Sequence, residues 1–168
     1  MEEAFYTSAL KFIWGGAKNI VMRILRKTPL SLEEIKRRTQ VLFIDDEPFE
    51  SLLSAIREAG WNAKQINDVS NLDSEELRLA DIIFIDYKNV GIKLTPTEEG
   101  IGLLKVLRKK YPEKHLIFFS GYAGFIPGHE IHDIADGWIT KSADAFVYIE
   151  RVENAAKMIM VEEDERHD

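Results

Sequence analysis

Four large apolar residues, Ile82-Ile83-Phe84-Ile85, stand between two aspartates, Asp81 and Asp86. So short and so apolar a run, three of its four members β-branched, reads as a strand buried on both faces. Such a strand belongs inside a parallel sheet, with helices above and below it. Its C-terminal carboxylate, Asp86, then stands at the mouth of the sheet, where open α/β folds place their chemistry. Most aspartates at a strand end only cap the next turn. Asp86 differs in the residues that the rest of the chain sends to the same place.

From Val41 onward, strand patterns alternate with helical ones. Val41 to Ile44 is a buried strand that ends in Asp45-Asp46-Glu47. Pro48 suits the first turn of a helix through Ala59, whose Phe49, Leu52, Leu53 and Ile56 share one face. Gly60 ends that helix, and Ala63 to Val69 is a weaker second strand. Asp73 with Glu76 predicts a capping box for a short helix to Leu79. After the Ile82 to Ile85 strand comes a long connection, Tyr87 to Leu94. Thr95-Pro96-Thr97-Glu98 then predicts a helix start, with Thr95 as N-cap, Pro96 first in the helix and Glu98 as reciprocal partner. That helix runs through Lys110. Leu116 to Phe119 is the fourth strand and ends at Ser120. A loop and a short helix over Gly128 to Ala135 lead to a fifth strand, Gly137 to Thr140, which ends at Lys141. A last helix is expected from Asp144 to Met160, followed by an acidic, disordered tail over residues 161–168.

The first forty residues form a separate helical arm in this reading. Tyr6, Leu10, Ile13, Ala17, Ile20, Val21 and Ile24 recur at close to the helical period, with Lys11, Lys18 and Arg23 among them. Those charges interrupt the run too often for a membrane span. Thr28-Pro29 stops the helix, and Ser31 with Glu34 predicts a capping box for a second, short one through Arg38. The arm is expected to pack on its own domain or on a second copy, giving a homodimer. A docking helix for another protein is the next reading, and contact with a membrane surface is the least favoured.

Charge separates the two regions further. Met1 to Gln40 carries eight basic and four acidic residues, whereas Val41 to Asp168 carries fourteen basic and 25 acidic. An acidic body argues against nucleic acid as the main ligand and fits a site that holds a divalent cation. With no Cys there is no disulfide framework, thiolate zinc site or thiol nucleophile.

Five strands joined by right-handed crossovers give a doubly wound parallel sheet of the α/β class. The C-terminal strand ends then carry Asp45 and Asp46, Asp86, Ser120 and Lys141. Carboxylates converging in one place repel unless a cation is present. Oxygen donors without His or Cys select a hard ion, Mg²⁺ first. A hydroxyl and an ammonium opposite them make a cradle for a phosphoryl group.

This set, at these strand ends, resembles the receiver domain of two-component response regulators, the CheY-like, flavodoxin-like fold, over residues 41–160. The resemblance implies that Asp86 is the phosphoacceptor and that Asp45, Asp46 and Asp86 hold Mg²⁺ together with the backbone carbonyl of Lys88. It implies that Ser120 bonds a phosphoryl oxygen and acts as a switch with Trp138, and that Lys141 pairs with the phosphoaspartate. It further implies a cytoplasmic single-domain signalling protein, not an enzyme beyond adding and losing its own phosphoryl group. A sensor histidine kinase or phosphotransfer protein would supply that group, and a downstream protein would read it. Two departures stand out. The connection after Asp86 is several residues longer than in receivers and hangs over the site, where it is expected to regulate access or dock a partner. Ser142 replaces the proline that usually follows the lysine on a cis bond. A cis bond to a non-proline costs about 3–4 kcal/mol, so a trans bond with Lys141 displaced is expected. Two alternatives carry their own signatures. A pseudo-receiver would keep the fold without phosphorylation. A Mg²⁺-dependent aspartyl phosphohydrolase would want its first-strand acids one residue apart, and Asp45 and Asp46 are adjacent.

Overall fold

Parallel pairing buries strands on both faces, and the most apolar runs of this chain take the interior of the sheet. In the computed structural model, which describes residues 30–121 and 128–166, the strands are β1 (Gln40–Ile44), β2 (Asn62–Ile66), β3 (Ile82–Asp86), β4 (His115–Ser120) and β5 (Gly137–Thr140). They form one five-stranded sheet in the order β2-β1-β3-β4-β5, every pair parallel. This is the doubly wound architecture read from the alternation of strands and helices. The helices are α1 (Leu32–Arg38), α2 (Glu50–Glu58), α3 (Glu75–Leu79), α4 (Glu99–Lys110), α5 (His129–His132) and α6 (Ala145–Arg166).

Alternation along β1, β3 and β4 feeds two cores. On one face Leu42, Ile44, Ile83, Ile85, Leu116 and Phe118 pack with Leu77 of α3 and with Leu103, Leu104 and Leu107 of α4. On the other, the rings of Phe43 and Phe84 stack at 4.3 Å, with Phe119 and Tyr148 of α6 around them. Each such side chain, fully buried, contributes about 1.5–3 kcal/mol. Helices α2 and α6 pack together on this second face.

Several expected boundaries move, each for a local reason. Helix α1 begins directly after Ser31, as the capping pattern predicts, but it belongs to the compact unit Leu32–Asp168. Its Ile35 is buried, it packs on α6, and the buried Thr39 hydroxyl donates to Ile35 O at 2.9 Å as the chain passes straight into β1. The division expected after Gln40 therefore falls inside the body. The helical arm expected over residues 1–29 lies outside the described residues. The N-cap of α3 is Ser74, not Asp73: its Oγ accepts from Leu77 N, while Asp73 pairs with Lys110. Helix α4 starts at Glu99, because Thr95 closes a turn of its own, with Glu98 N and Glu99 N both donating to Thr95 O. Helix α6 runs past Met160 to Arg166, through residues expected to be disordered. Extending an existing helix by good helix formers costs far less than nucleating one. No helix among the described residues is long and apolar enough to cross a membrane.

Candidate functional site

Register decides which side chains meet. Ile44 pairs with Ile85, so the next residues, Asp45 and Asp86, stand side by side. Ser120 pairs with Thr140, which brings Lys141 in on the other flank. Among the described residues, Asp45, Asp46 and Asp86 offer oxygens that all lie within 4.8 Å of one another. Asp45 is 0% and Asp86 4% exposed, whereas Asp46 faces solvent. Thus the three acids predicted from the sequence converge. Ser120, 6% exposed at the end of β4, lies in the same rim.

Lys141 holds the centre. Its Nζ is 2.7 Å from Asp45 Oδ2, 3.0 Å from Asp86 Oδ2 and 3.7 Å from Glu47 Oε2. The expected displacement of this lysine does not occur. No bond in the described chain is cis, so Lys141–Ser142 is trans, and the side chain absorbs the difference. Its aliphatic stem passes Gly121, and the ammonium stands 5.3 Å from the Phe119 ring centre.

Two buried carboxylates share this one ammonium. Burial raises Asp45 and Asp86 above the usual 3.8, and Lys141 offsets that only in part. Burial works against the charge of Lys141 as well, but the two carboxylates outweigh it and hold the ammonium above its usual 10.5. Asp45 Oδ1 accepts from Glu47 N at 2.9 Å, and Asp86 Oδ1 accepts from Tyr87 N at 2.7 Å. By contrast Asp45 Oδ2 is buried without any aligned hydrogen bond, its contact with Lys141 being one of charge and not of direction. A buried carboxylate oxygen met only by the shared ammonium, an excess of negative charge and an all-oxygen donor set fit a hard divalent cation.

The remaining predicted residues lie around this centre. Lys88 is two residues past Asp86; its side chain stands 3.7 Å from Glu99 Oε2 and 4.6 Å from the Tyr87 ring centre. Trp138 is 41% exposed on the edge strand β5, outside the core. Other supports carry no mark in the sequence. Gln65, on β2, donates through Nε2 to Asp45 O and Glu47 O, both at 2.8 Å, and so fixes the loop that presents the acids. Tyr148 donates to Thr140 O at 3.2 Å, and burial together with the charges of Asp45 and Asp86 pushes its phenol far up, so it stays neutral.

The connection after Asp86 is built as tightly as the sheet. Val90 is fully buried in the core of α3 and α4. Asp68 Oδ1 accepts from Gly91 N at 2.5 Å and from Val69 N at 2.7 Å, tying the connection to the end of β2. The Thr95 hydroxyl is shared between Gly91 O and Glu99 O at 3.1 Å each. Gly100 lies so close to the end of β3 that a Cβ would stand 1.9 Å from Asp86 O, so only glycine fits there. Beside this segment opens a cleft of about 240 Å³ between Tyr87, Lys88, Glu99 and Lys105.

No protein-family model and no curated protein matches the chain by sequence. Solved structures do match it. A CheY-like response regulator receiver domain protein from Methanospirillum hungatei JF-1 is 20% identical with a TM-score of 0.57, over 77% of this chain and 98% of that one. A response regulator receiver domain protein from Clostridium thermocellum is 18% identical with a TM-score of 0.56, over 71% and 95%. NtrX from Brucella abortus, in complex with ATP, reaches 0.63 at 20% identity, over 76% of this chain and 29% of its own. The chain has the fold of response regulator receiver domains.

Proposed function

We propose that this protein is a single-domain response regulator that accepts a phosphoryl group on Asp86 in a Mg²⁺-dependent reaction. The observation that carries the reading is the junction of Lys141 Nζ with Asp86 Oδ2 and Asp45 Oδ2 beside the exposed Asp46. Asp45, Asp46, Asp86 and the Lys88 carbonyl would hold the ion. Bound there, Mg²⁺ supplies positive charge that neutralises the phosphoryl oxygens and lowers the repulsion between two anions.

The chain's own residues do the rest. Asp86 Oδ1 is occupied by Tyr87 N, which leaves Oδ2 as the nucleophile. A new O–P bond forms at Oδ2 while the bond from phosphorus to the donor's leaving group breaks, that group keeping the electron pair. Lys141, already 3.0 Å from Oδ2, balances the added charge. Ser120, in the same rim, would donate its hydroxyl to a phosphoryl oxygen. Asp45 is unsuited to the nucleophile's role because Glu47 N and Lys141 already claim it.

A kinase or phosphotransfer protein of a two-component relay would donate the group in the cytoplasm, and a protein target would read the result through Ser120 and Trp138. The arm's apolar stripe, too large to leave in water, would join two copies. Sedimentation of the full chain and of a chain beginning at Leu30 tests that contact: equal monomers dismiss the dimer.

Intact-mass measurement after incubation with a small phosphodonor and Mg²⁺ tests the acceptor. One stable phosphate is expected, absent from Asp86→Asn, because an amide keeps the shape but forms no acyl phosphate. Incorporation that survives in the variant would remove Asp86 from its role. No incorporation in the wild type points to the pseudo-receiver, and steady turnover of the donor to the phosphohydrolase.

A further inference from the structure

Glu99 sits at the start of α4 with a left-handed backbone, φ 49°, and Asn89 across from it has φ 58°. Both are conformations that side-chain-bearing residues disfavour, and they persist only where the surroundings fix them. Thr95 O and the Thr95 hydroxyl hold the Glu99 backbone, and one contact links the two residues: Asn89 N donates to Glu99 Oε2 at 3.2 Å. Lys88 Nζ lies 3.7 Å from the same oxygen, but it is well exposed, and a loose pair of this kind contributes little.

The Asn89 N–H belongs to the peptide unit whose other polar group is the Lys88 carbonyl. That unit is trans and planar, so its N–H and C=O point to opposite edges of one rigid plane. Holding the N–H on Glu99 therefore sets the direction of the Lys88 carbonyl. Glu99 is itself anchored: Gly100 N donates to Tyr87 O at 3.3 Å, Gly100 abuts Asp86 O, and the Thr95 hydroxyl bonds Glu99 O. The carboxylate is mounted on the acceptor strand's own end.

We infer that Glu99 is a positioning residue for the Lys88 carbonyl, orienting this neutral ligand of the Mg²⁺ site through the Lys88–Asn89 peptide. The inference rests on the Mg²⁺ reading above and deepens it, since Glu99 acts on the ion only through another residue's backbone. Partners one shell out from a metal typically change its affinity about 10–100-fold when removed. An amide in place of the carboxylate keeps an oxygen that can accept the Asn89 N–H.

Calorimetric Mg²⁺ titration of the full chain, alongside melting in chelator, tests this with Glu99→Ala, Glu99→Gln and Asp46→Ala. Glu99→Ala is expected to bind Mg²⁺ about tenfold more weakly, with its melting in chelator little changed, and Glu99→Gln to stay within about threefold of wild type. Wild-type affinity in Glu99→Ala overturns the inference. So does a Glu99→Gln loss as large as that of Glu99→Ala, which assigns the effect to charge. If Glu99→Ala does not fold, Glu99→Ser, too short to reach Asn89 N, takes its place under the same criteria: about a tenfold loss beside a near-wild-type Glu99→Gln supports the role, and wild-type affinity ends it. A wild type that binds no Mg²⁺, or that Asp46→Ala matches, overturns the metal reading itself and takes this inference with it.

Discussion

The cluster at the strand ends and the segment from Tyr87 to Glu98 both touch Asp86, yet they are held by different means. In the cluster, position follows from regular structure: pairing of Ile44 with Ile85 and of Ser120 with Thr140 aligns the acids and Lys141. The segment has no ladder. Single tertiary contacts hold it, namely Asp68 from the end of β2 on Gly91 N, its own Val90 sunk in the core, and Gly100 at the head of α4. Repetitive elements place the chemistry, while one-off tertiary contacts place what surrounds and adjusts it.

That contrast is sharpest where one atom decides. Gly100→Ala forces a Cβ into Asp86 O, and denaturant unfolding should show a loss of about 3 kcal/mol or more. An unaffected midpoint would mean that α4 is free to draw back from β3. Val90→Ala empties a fully buried site, and the same measurement should lose about 2 kcal/mol. If it loses nothing, the segment is an ordinary surface loop and the contrast fails. Asp68→Ala leaves Gly91 N and Val69 N without their acceptor, for about 1–2 kcal/mol, and should raise amide exchange in the segment while sparing β3.

The smallest effect belongs to the cluster, and its sign is the informative part. Burial raises Asp86 above 3.8 despite Lys141, so the folded chain keeps a proton that the unfolded chain has released. Stability from this source is fully present below 3.8 and is lost as pH rises through the raised folded value. Asp86→Asn does not titrate. In chelator at neutral pH the variant should melt slightly above wild type, and the gain should shrink as pH falls into the carboxylate range. A variant less stable than wild type at neutral pH would mean that the Lys141 pair outweighs burial.

The same contrast explains what could be read from the sequence. Strand runs that are apolar on both faces fixed the sheet and, through their last residues, Asp45, Asp86, Ser120 and Lys141. Features resting on a single distant partner left no periodic trace. Gln65 reads as an unremarkable strand residue until its amide is seen spanning Asp45 O and Glu47 O. The Thr95-Pro96-Thr97-Glu98 pattern has the composition of a helix start, but the hydroxyl of Thr95 serves Gly91 O and Glu99 O instead. Ser142 misled in another way. Reasoning from the backbone moved Lys141 out of the site, whereas its long stem reaches Asp45 and Asp86 from a trans bond.

The sheet closes with two unlike borders, β2 and β5, and they bear on how another protein can attach. Strand β2 alternates exposed Asn62 and Lys64 with a buried Ala63, and β5 is only four residues long. A lysine on an outer strand, or an outer strand too short to template another, discourages a foreign chain from adding itself to the ladder. Main-chain augmentation is therefore a poor route to this molecule. A protein docking on this molecule would instead meet side chains on helices and connections, surfaces that can respond to a change at the strand ends where a rigid backbone rail cannot.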